Sequence, residues 1–530
     1  MKTFPDFSAF TNVYGADGQG SSQVLWTTLV SDLETPVSAM LKLAQGRPNS
    51  FLLESVESGT IRGRYSFIGL QPDLIWRCFD DRAEINRDAE TDLDAFAPCP
   101  VAEKSGAIES LRALVEESRI GMPADLPPMA SGLVGYLAYD MVRLVEKLPD
   151  ANPDVIGTPD SIFLRSTVMV VFDSLEDSVT IVTPVWPDKL MTAEDAYRAA
   201  SKRLAGVVRD FEASPPQKAQ KPPPEKDLPK PQSNMTQESL HGMVKKAVEY
   251  IKAGDAFQIV PSQRFKLPFT LPPFSFYRAL RRLNPSPFLF YLNFGDFSVV
   301  GSSPEILVRV RDGKITLRPL AGTRKRGQTA AEDAALVEDL LSDPKEIAEH
   351  LMLLDLGRND VGRIAKVGTV NVTEQFIVEK YSHVMHIASN VEGDLDPKFD
   401  AIDALLAGFP AGTVSGAPKV RAMEIIEELE PERRGVYSGC IGYFGANGDM
   451  DTCIALRTAV IKDDVLYVQA GGGVVADSNP ENEFQESCNK AQALIFAAVL
   501  DMAGSPWPIV FLAMAATRGV SGIMISRVNV

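Results

Sequence analysis

The chain is poor in the residues that mark several common protein classes. It has five cysteines in 530 residues and no Cys-x-x-Cys pair, which excludes a disulfide framework and favours reduced thiols in a cytoplasmic protein. Only four histidines occur, and none lies in a His-Glu-x-x-His zinc motif. The first residues also lack the charged-then-apolar order of a signal peptide. We therefore expect neither a disulfide-rich secreted domain nor a zinc hydrolase.

Basic residues and long apolar runs are scarce as well. Lys and Arg number 53 against 70 Asp and Glu, and the net charge of -17 argues against nucleic acid or an anionic membrane as a principal partner. The one apolar run near the end, Pro506–Ala516, is shorter than the ~20 residues that a membrane-spanning helix needs. We expect no membrane segment, and the role of residues 505–530 stays open.

One stretch of unusual composition divides the chain. Residues 213–234 are rich in Pro, Lys and Gln and contain little to bury, which is typical of a solvated linker. On either side, strand patterns arrive in hairpin groups with helices between the groups, which favours antiparallel sheets. The prediction is an α+β fold with an N-terminal domain over 1–212, a linker over 213–234 and a second domain over 235–504.

The segment Val468–Leu494 carries a possible nucleotide motif. Its glycines fit G-x-G-x-x-A after a strand-like run. A dinucleotide loop, however, runs straight into a helix whose N-terminus holds a pyrophosphate. Here the next helix start is Ser478 or Asn479, and the helix then carries acidic residues, Glu481 among them, where a diphosphate would approach. The context disfavours a nucleotide site.

Two helical segments present pairs of glutamates at a spacing of three. One pair is Glu483 and Glu486, and the other is Glu346 and Glu349 on a segment that begins near Pro344. For Glu483 and Glu486 the simpler interpretation is a solvated face with a salt bridge within the helix, from Glu486 to Lys490 four residues later. Two helices that each offer a carboxylate would also form a hard-oxygen site suited to Mg²⁺. Spacing alone does not choose between these interpretations.

An ordered set of motifs resolves the ambiguity. The runs "PLAGTRKRG", "KEIAEHLMLLDLGRND", "YSHVMH", "FPAGTVSGAPKVRAMEII", "RRGVYSGCIGYF", "DMDTCIALRTA" and "QAGGGVVADSNPENEFQESCNKA" resemble those of the chorismate-utilising enzymes, and most closely those of the anthranilate synthase branch. "FLLESVESGTIRGRYSFIG" and "SGLVGYLAYDMVR" extend the resemblance into the N-terminal region. It implies a composite chorismate-binding fold and a lyase that converts chorismate and ammonia to anthranilate and pyruvate in tryptophan biosynthesis.

The resemblance also implies roles for individual residues. It places Mg²⁺ ligands at Glu349 and Glu486, chorismate contacts at Gly322, Thr323, Tyr437, Arg457 and Lys490, and catalytic roles at Glu305, Thr323 and His386. Glu305 would protonate the departing hydroxyl, and His386 would assist the aromatising elimination. The main-chain N–H groups of Gly471, Gly472 and Gly473 are expected to approach the enolpyruvyl carboxylate.

Two positions separate the activities within this family. Ala321 stands where aminodeoxychorismate synthases carry a nucleophilic lysine, and Gln258 lies nearest the place where isochorismate synthases carry a lysine that activates water. Both differences favour ammonia as the nucleophile. Aminodeoxychorismate synthase and a non-catalytic tryptophan-sensing protein stay as alternatives.

The resemblance further implies a partner and an inhibitor. No nucleophile elbow of a glutamine amidotransferase is present, so a separate glutamine amidotransferase subunit is expected to supply ammonia. Tryptophan is expected to bind at Glu54 and Ser55 of "LLES" together with Pro287, Phe288 and Leu289. Without the resemblance, both runs would be interpreted as ordinary strand and turn.

Overall fold

The structure is a computed structural model that describes residues 2–15, 18–57, 61–214, 229–381 and 384–502. The predicted tail over 505–530 and most of the predicted linker over 213–234 lie outside the described residues. The division into two domains with a linker between them therefore stays a prediction.

The described helices include both acidic segments. They are α1 (Phe7–Tyr14), α2 (Pro36–Ala44), α3 (Pro100–Ser105), α4 (Ala107–Glu117), α5 (Ala193–Phe211), α6 (Gln237–Ala253), α7 (Pro273–Leu283), α8 (Ala330–Ser342), α9 (Pro344–Gly362), α10 (Ala401–Gly408), α11 (Gly412–Ser415), α12 (Lys419–Leu429) and α13 (Pro480–Met502). A 3₁₀ turn spans Tyr139–Leu144.

The described strands fall before or after the predicted linker, except that one two-residue strand, Gln232–Ser233, lies within its last residues. Those of the first part are β1 (Gln23–Val30), β2 (Ser50–Glu57), β3 (Ile61–Phe79), β4 (Arg82–Asn86), β5 (Ala97–Pro98), β6 (Gly132–Leu137), β7 (Ser161–Asp173) and β8 (Ser178–Val185). The later ones are β9 (Gln232–Ser233), β10 (Gln258–Ile259), β11 (Ser262–Pro268), β12 (Phe288–Asn293), β13 (Phe297–Ser303), β14 (Ile306–Arg311), β15 (Lys314–Leu317), β16 (Leu320–Lys325), β17 (Asn371–Lys380), β18 (Val384–Asp394), β19 (Gly416–Ala417), β20 (Cys440–Gly445), β21 (Met450–Ile454), β22 (Thr458–Lys462) and β23 (Val465–Gly471).

The local signals in the sequence correspond to real element ends. Asp343 caps α9 by accepting from Lys345 N, and Pro344 occupies the first turn, where a missing N–H costs nothing. In α13, Asn479 Oδ1 accepts from Glu481 N at 2.9 Å. The predicted starts of both acidic helices are confirmed. Glu346 and Glu483 lie in the first turns of their helices, and Glu349 and Glu486 follow about one turn later.

The strands form one extended antiparallel arrangement. Twenty-one of the described strands are connected by hydrogen bonds, and β10 pairs separately with β19. Strands from both sides of the predicted linker pair directly, since β2 lies against β12 and β6 lies against β20. The α+β class with large antiparallel sheets is confirmed.

The hydrophobic core is shared in the same way. One cluster of buried side chains combines Leu52 and Ile181 from the first part with Leu289 and Leu466 from the second. Burial of such side chains contributes about 1.5 to 3 kcal/mol each. The stability of either part therefore depends on the other. Among the described helices, none is long and apolar enough to cross a bilayer.

Candidate active site

The glycine-rich turn after β23 brings main chain against the acidic helix α13. Gly471 pairs with Ser262 of β11, and a β-carbon at Gly471 would collide with the carbonyl oxygen of Pro261. At Gly472, a β-carbon would lie 2.8 Å from Glu483 Oε2 and 3.5 Å from Glu486 Oε1. Glycine alone permits so close an approach. Because β23 has antiparallel neighbours, this turn is not part of a dinucleotide-binding unit.

Lys490 connects the glycine-rich turn to α13. Its Nζ donates to Gly471 O at 3.0 Å and lies 2.8 Å from Glu486 Oε1. The predicted salt bridge within the helix is therefore present. It is also part of a site, since the same ammonium contacts the turn that the sequence predicts to bind a carboxylate.

The carboxylates of α9 and α13 influence one another across the site. Burial raises the pKa of Glu349, the Gln258 hydrogen bond opposes this, and the charges of Glu346 and Glu486 raise it further. Burial also raises the pKa of Glu483, with Glu486 adding to the effect. Two helices that are far apart in sequence thus converge on one acidic cluster.

The donors in this cluster suit a hard divalent cation. Glu483 Oε2 is buried and has no hydrogen-bond partner among the described residues, and burying an unpaired carboxylate oxygen is costly. No group of three or more Asp, Glu, His or Cys side chains in the described ranges is close enough to surround a metal ion by itself. Mg²⁺ keeps several waters and commonly takes only one or two carboxylates plus substrate oxygens. The residues present therefore fit the predicted ion, which stays a prediction.

His386 is held in place by two residues of β16. Its Nδ1 lies 3.0 Å from Gly322 O and 3.1 Å from Thr323 Oγ1. Because a carbonyl can only accept, Nδ1 carries the proton and Nε2 is left as the basic nitrogen. Burial lowers the pKa of His386 to about 4, so the imidazole is neutral at physiological pH. Gly322 has a φ of 70°, which suits glycine, and marks a bulge in the pairing of β16 with β18.

The pKa of Glu305, just before β14, is shifted in the opposite direction to that of His386. Its side chain is buried and accepts from Thr413 Oγ1 at 3.2 Å and from Leu320 N at 3.4 Å. Burial raises its pKa to about 8. The carboxyl group is therefore protonated at neutral pH and can donate a proton, which is the role that the sequence predicts for it.

Arg457 is a cation that has no anionic partner in the described part of the chain. It is half-buried, and its guanidinium forms no ion pair with any residue of the described part of the chain. Its backbone has a φ of 48°, an uncommon conformation for a non-glycine residue that is often found at functional sites. An Arg held in this way can accept a planar carboxylate in a bidentate contact. Tyr437, the other predicted contact, is buried in the turn that precedes β20.

The electrostatic influence of Lys490 shows that these residues share one site. Burial raises the pKa of Glu305, Glu349 and Tyr437, and the charge of Lys490 opposes each rise. Burial lowers the pKa of His386, and the charge of Lys490 lowers it further. The structure thus brings the predicted metal ligands, the predicted acid and base and the predicted substrate contacts around one ammonium group.

The residues predicted to bind tryptophan lie elsewhere. Glu54, Ser55, Pro287, Phe288 and Leu289 all line a cavity of about 1070 Å³ next to the paired strands β2 and β12. Its lining residues do not include Glu346, Glu349, Glu483 or Glu486, so it is separate from the acidic cluster. Its far wall includes Tyr381, whose ring centroid lies 5.6 Å from that of His386. The two sites therefore share a wall at this tyrosine.

Glu54 has a structural partner that the sequence did not reveal. Its carboxylate accepts from Arg281 Nε at 2.6 Å and Nη2 at 2.7 Å, and from Tyr277 Oη at 2.5 Å. The side chain is buried in this network, so it anchors β2 to α7. Ser55 is half-buried and lines the same cavity.

Several contributors to the site were not predicted individually. Thr413 hydrogen-bonds Glu305, and Tyr381 packs on His386. Both occur in runs that the sequence marks as motifs, namely "FPAGTVSG" and "YSHVMH", so the motif gave their neighbourhood but not their contacts. Gln258, which was considered only as a marker of activity, donates to Glu349 at 3.0 Å. His383 lies outside the described residues.

Comparison with known proteins agrees with this geometry. Residues 62–496 match the chorismate binding enzyme family. The chain is 59% identical over 480 residues to an anthranilate synthase component 1 from Cereibacter sphaeroides, covering 90% of this chain and 95% of the relative. It is 48% identical to the protein of that name from Pseudomonas putida, covering 89% and 94%.

Solved structures show the same relationship. Anthranilate synthase component I from Streptococcus pneumoniae TIGR4 superposes with a TM-score of 0.71 at 37% identity, covering 88% of this chain and 98% of the other. The menaquinone-specific isochorismate synthase MenF from Escherichia coli superposes with a TM-score of 0.66 at 21% identity, covering 93% and 99%. At that identity the second match concerns the fold alone.

Proposed function

Because the chain belongs to the chorismate-binding enzymes and is a lyase that acts on chorismate, we propose that it is the large component of an anthranilate synthase. The reaction joins chorismate and ammonia and releases anthranilate, pyruvate and water. The observation that carries the proposal is Arg457, a guanidinium without an anionic partner in the described structure, in a site that also contains an acidic cluster that fits a cation. This polarity suits a substrate with two carboxylates.

In this proposal the two ends of the site hold the two carboxylates of chorismate. Arg457, Tyr437 and the N–H groups of the glycine-rich turn bind the enolpyruvyl carboxylate. Glu349 and Glu486 would hold Mg²⁺, which supplies a positive charge for the ring carboxylate. Lys490 keeps Glu486 in place. Binding both ends fixes the ring so that its reacting carbons face the acid and the base.

The protonation states of Glu305 and His386 supply the remaining chemistry. Ammonia adds at C2 of the ring as the 4-hydroxyl leaves, and neutral-pH protonation of Glu305 lets it donate to that hydroxyl. His386 Nε2 then accepts the C2 proton as the C3–O bond breaks and the ring becomes aromatic. The enolpyruvyl group leaves as the enolate of pyruvate, which takes up a proton at its methylene carbon to give pyruvate. Thr323 and Gly322 hold the imidazole through Nδ1.

Ala321 and Gln258 favour this reaction over those of related enzymes. Ala321 is buried and has no nucleophilic atom, so it cannot attack the ring as a lysine would. Gln258 is an amide bonded to Glu349 and cannot act as a base toward water. Ammonia would come from a partner component, which we propose to be a glutamine amidotransferase, as part of the first committed step of tryptophan biosynthesis.

Incubation of the pure protein with chorismate, Mg²⁺ and ammonium tests the proposal. Anthranilate fluorescence is expected to rise without any partner, because free ammonium replaces glutamine as the nitrogen source. Accumulation of aminodeoxychorismate would assign the chain to that activity instead. Absence of any turnover would favour a non-catalytic tryptophan-sensing role.

We also propose that tryptophan binds in the cavity next to the paired strands β2 and β12 and lowers activity. The support is that the predicted residues, from two segments distant in sequence, line one space, with Leu289 paired to Glu54 in the sheet. Titration of activity with tryptophan, repeated on Ser55→Ala, tests this site. The variant is expected to need about tenfold more tryptophan for half inhibition, as for loss of about one hydrogen bond to a charged group. Unchanged inhibition would exclude this site.

A further inference from the structure

A buried ion pair that none of the roles above uses lies beneath the candidate site. The side chains of Glu430 and Arg434 are 3% and 1% exposed, and Arg434 Nη2 lies 2.6 Å from Glu430 Oε1. Arg434 Nε also donates to both carboxylate oxygens, at 3.2 and 3.0 Å. The pair follows α12 and precedes Tyr437 by three residues.

The rest of the Arg434 guanidinium connects three separate segments. Nη1 donates to Val414 O at 2.7 Å and lies 3.3 Å from Ser438 Oγ, and Nη2 donates to Val260 O at 2.6 Å. Val414 directly follows Thr413, the partner of Glu305. Val260 belongs to the segment between β10 and β11. A planar guanidinium has five donors in a fixed fork, so these segments are held at set directions.

Glu430 extends the network to the glycine-rich turn. Its Oε1 accepts from Ser262 N and from Ser262 Oγ, both at 2.8 Å. Ser262 pairs with Gly471 across the β11–β23 ladder. The carboxylate thus lies two contacts from the main chain that is proposed to meet the enolpyruvyl carboxylate.

Two tyrosine rings lie against the guanidinium of Arg434. The centre of the Arg434 guanidinium lies 4.8 Å from the ring centroid of Tyr139 and 5.5 Å from that of Tyr437. Tyr139 belongs to the first part of the chain, where its N–H donates to Gly435 O at 2.8 Å. Tyr437 therefore packs against Arg434, and it lies in a turn that the N-terminal region also holds in place.

A buried pair of this kind contributes little to stability by itself, because desolvation of two charges offsets their attraction. The pair does fix the direction of its contacts, because an apolar replacement could not hold Val260, Val414 and Ser438 at once. We propose that Glu430 and Arg434 form a positioning pair that sets Tyr437 and the glycine-rich turn for chorismate. This inference rests on the proposed function, because chorismate is the ligand that it concerns.

The test measures the dissociation constant for chorismate in Mg²⁺ buffer without ammonium, so that no turnover occurs. Arg434→Lys keeps the charge but loses the fork, and it is expected to weaken chorismate binding about tenfold or more. Arg165→Lys is the matched control, because Arg165 is also buried and forked, onto Asp73, far from the site. The control is expected to change binding less than about twofold, within the scatter of neutral substitutions.

A second background separates positioning from general damage. In Tyr437→Phe, which loses the hydroxyl proposed to meet the carboxylate, the effect of Arg434→Lys is expected to shrink to about threefold or less, because the contribution through Tyr437 is absent and only that through the glycine-rich turn remains. Equal weakening in both backgrounds would overturn the inference, as would a folded Arg434→Lys protein that binds chorismate normally.

If Arg434→Lys does not fold, Ser262→Ala decides the question, since it removes only one hydroxyl contact to Glu430. About threefold weaker binding supports the positioning pair, and unchanged binding overturns it. Anthranilate formation is measured in parallel with ammonium added. A wild-type protein that binds chorismate but forms no anthranilate refutes the proposed function while these binding results still decide the inference. A wild-type protein that does not bind chorismate refutes both.

Discussion

At the scale of single residues, burial assigns the acid and the base of the candidate site. Burial raises the pKa of Glu305 to about 8 and lowers that of His386 to about 4. Each group is uncharged at neutral pH, so one can give a proton and the other can take one.

The raised pKa of Glu305 predicts a pH dependence. The proton-donating form is present below the pKa and is lost above it, so kcat/KM for chorismate is expected to fall as the pH rises through about 8. The measurement is made at a constant concentration of unprotonated ammonia, so that the titration of the nucleophile does not contribute. Glu305→Gln is expected to lose this limb and to lower kcat by about 10²-fold or more. A limb that persists in Glu305→Gln would show that another group is titrating.

Arg457 gives a second prediction at this scale. Arg457→Lys is expected to raise KM for chorismate about tenfold or more, because lysine keeps the charge but cannot make a bidentate contact with a carboxylate. Arg421→Lys, at a half-exposed arginine paired with Asp255 and Glu424, is the control and should leave KM unchanged. A KM within about twofold of the wild-type value in Arg457→Lys would remove Arg457 from the substrate site.

At the scale of elements, the two acidic helices act as a matched pair. α9 and α13 each begin at a proline preceded by a capping side chain, and this fixes where their first turns present glutamate. The helix N-terminus favours nearby negative charge, which makes it possible to gather carboxylates there. The pairing of the helices explains why a spacing that is usually a solvated face forms part of a site here.

The metal assignment is tested on α13. Glu486→Gln keeps the size of the side chain but removes the charge, and it is expected to raise the Mg²⁺ concentration for half-maximal activity about tenfold or more. Glu481→Gln lies on the same helix, exposed and bonded to Gln237, and is expected to keep the wild-type Mg²⁺ dependence. If both variants titrate with Mg²⁺ as the wild-type protein does, Glu486 is not a ligand.

The connection of β2 to α7 gives a further prediction. Glu54→Ala removes the acceptor of Arg281 and Tyr277 and leaves a largely buried guanidinium unpaired, which is expected to lower the free energy of unfolding by about 3 to 5 kcal/mol. Ser55→Ala, one residue away, is expected to change stability by less than about 1 kcal/mol. Urea unfolding of both variants checks this. Equal stability of the two would mean that the Glu54 network is dispensable.

At the scale of the whole molecule, the sequence predicted the site better than it predicted the assembly. Motifs place Glu349, Glu486 and His386 because each lies in a short run with its own local pattern. The pairing of β6 with β20, and the network around Arg434, join residues that are distant in sequence, and no local pattern encodes such contacts. The Gly471–Gly473 turn was ambiguous for the same reason, since its meaning depends on which helix lies against it.

The shared sheet predicts that the two parts of the chain cannot fold independently. β6 pairs with β20, and the N-terminal region also holds the turn before Tyr437, where Gly435 N donates to Asp140 Oδ2 at 3.0 Å. Separating the parts would expose sheet edges and core side chains of both. We therefore expect residues 1–214 and 229–530, produced as two chains in one cell, to purify together with chorismate-dependent activity.

Each fragment produced alone provides the control for that experiment. Without its partner, either one is expected to aggregate or to lack a cooperative thermal transition, since half of a shared core is missing. Residues 229–530 carry every residue proposed to contact chorismate or Mg²⁺, so the sequence motifs by themselves predict that this fragment is sufficient. A soluble 229–530 fragment with wild-type kcat/KM would show that the N-terminal region is an accessory to the site. Loss of activity that returns when residues 1–214 are supplied would show that the active site is a property of the joined sheet.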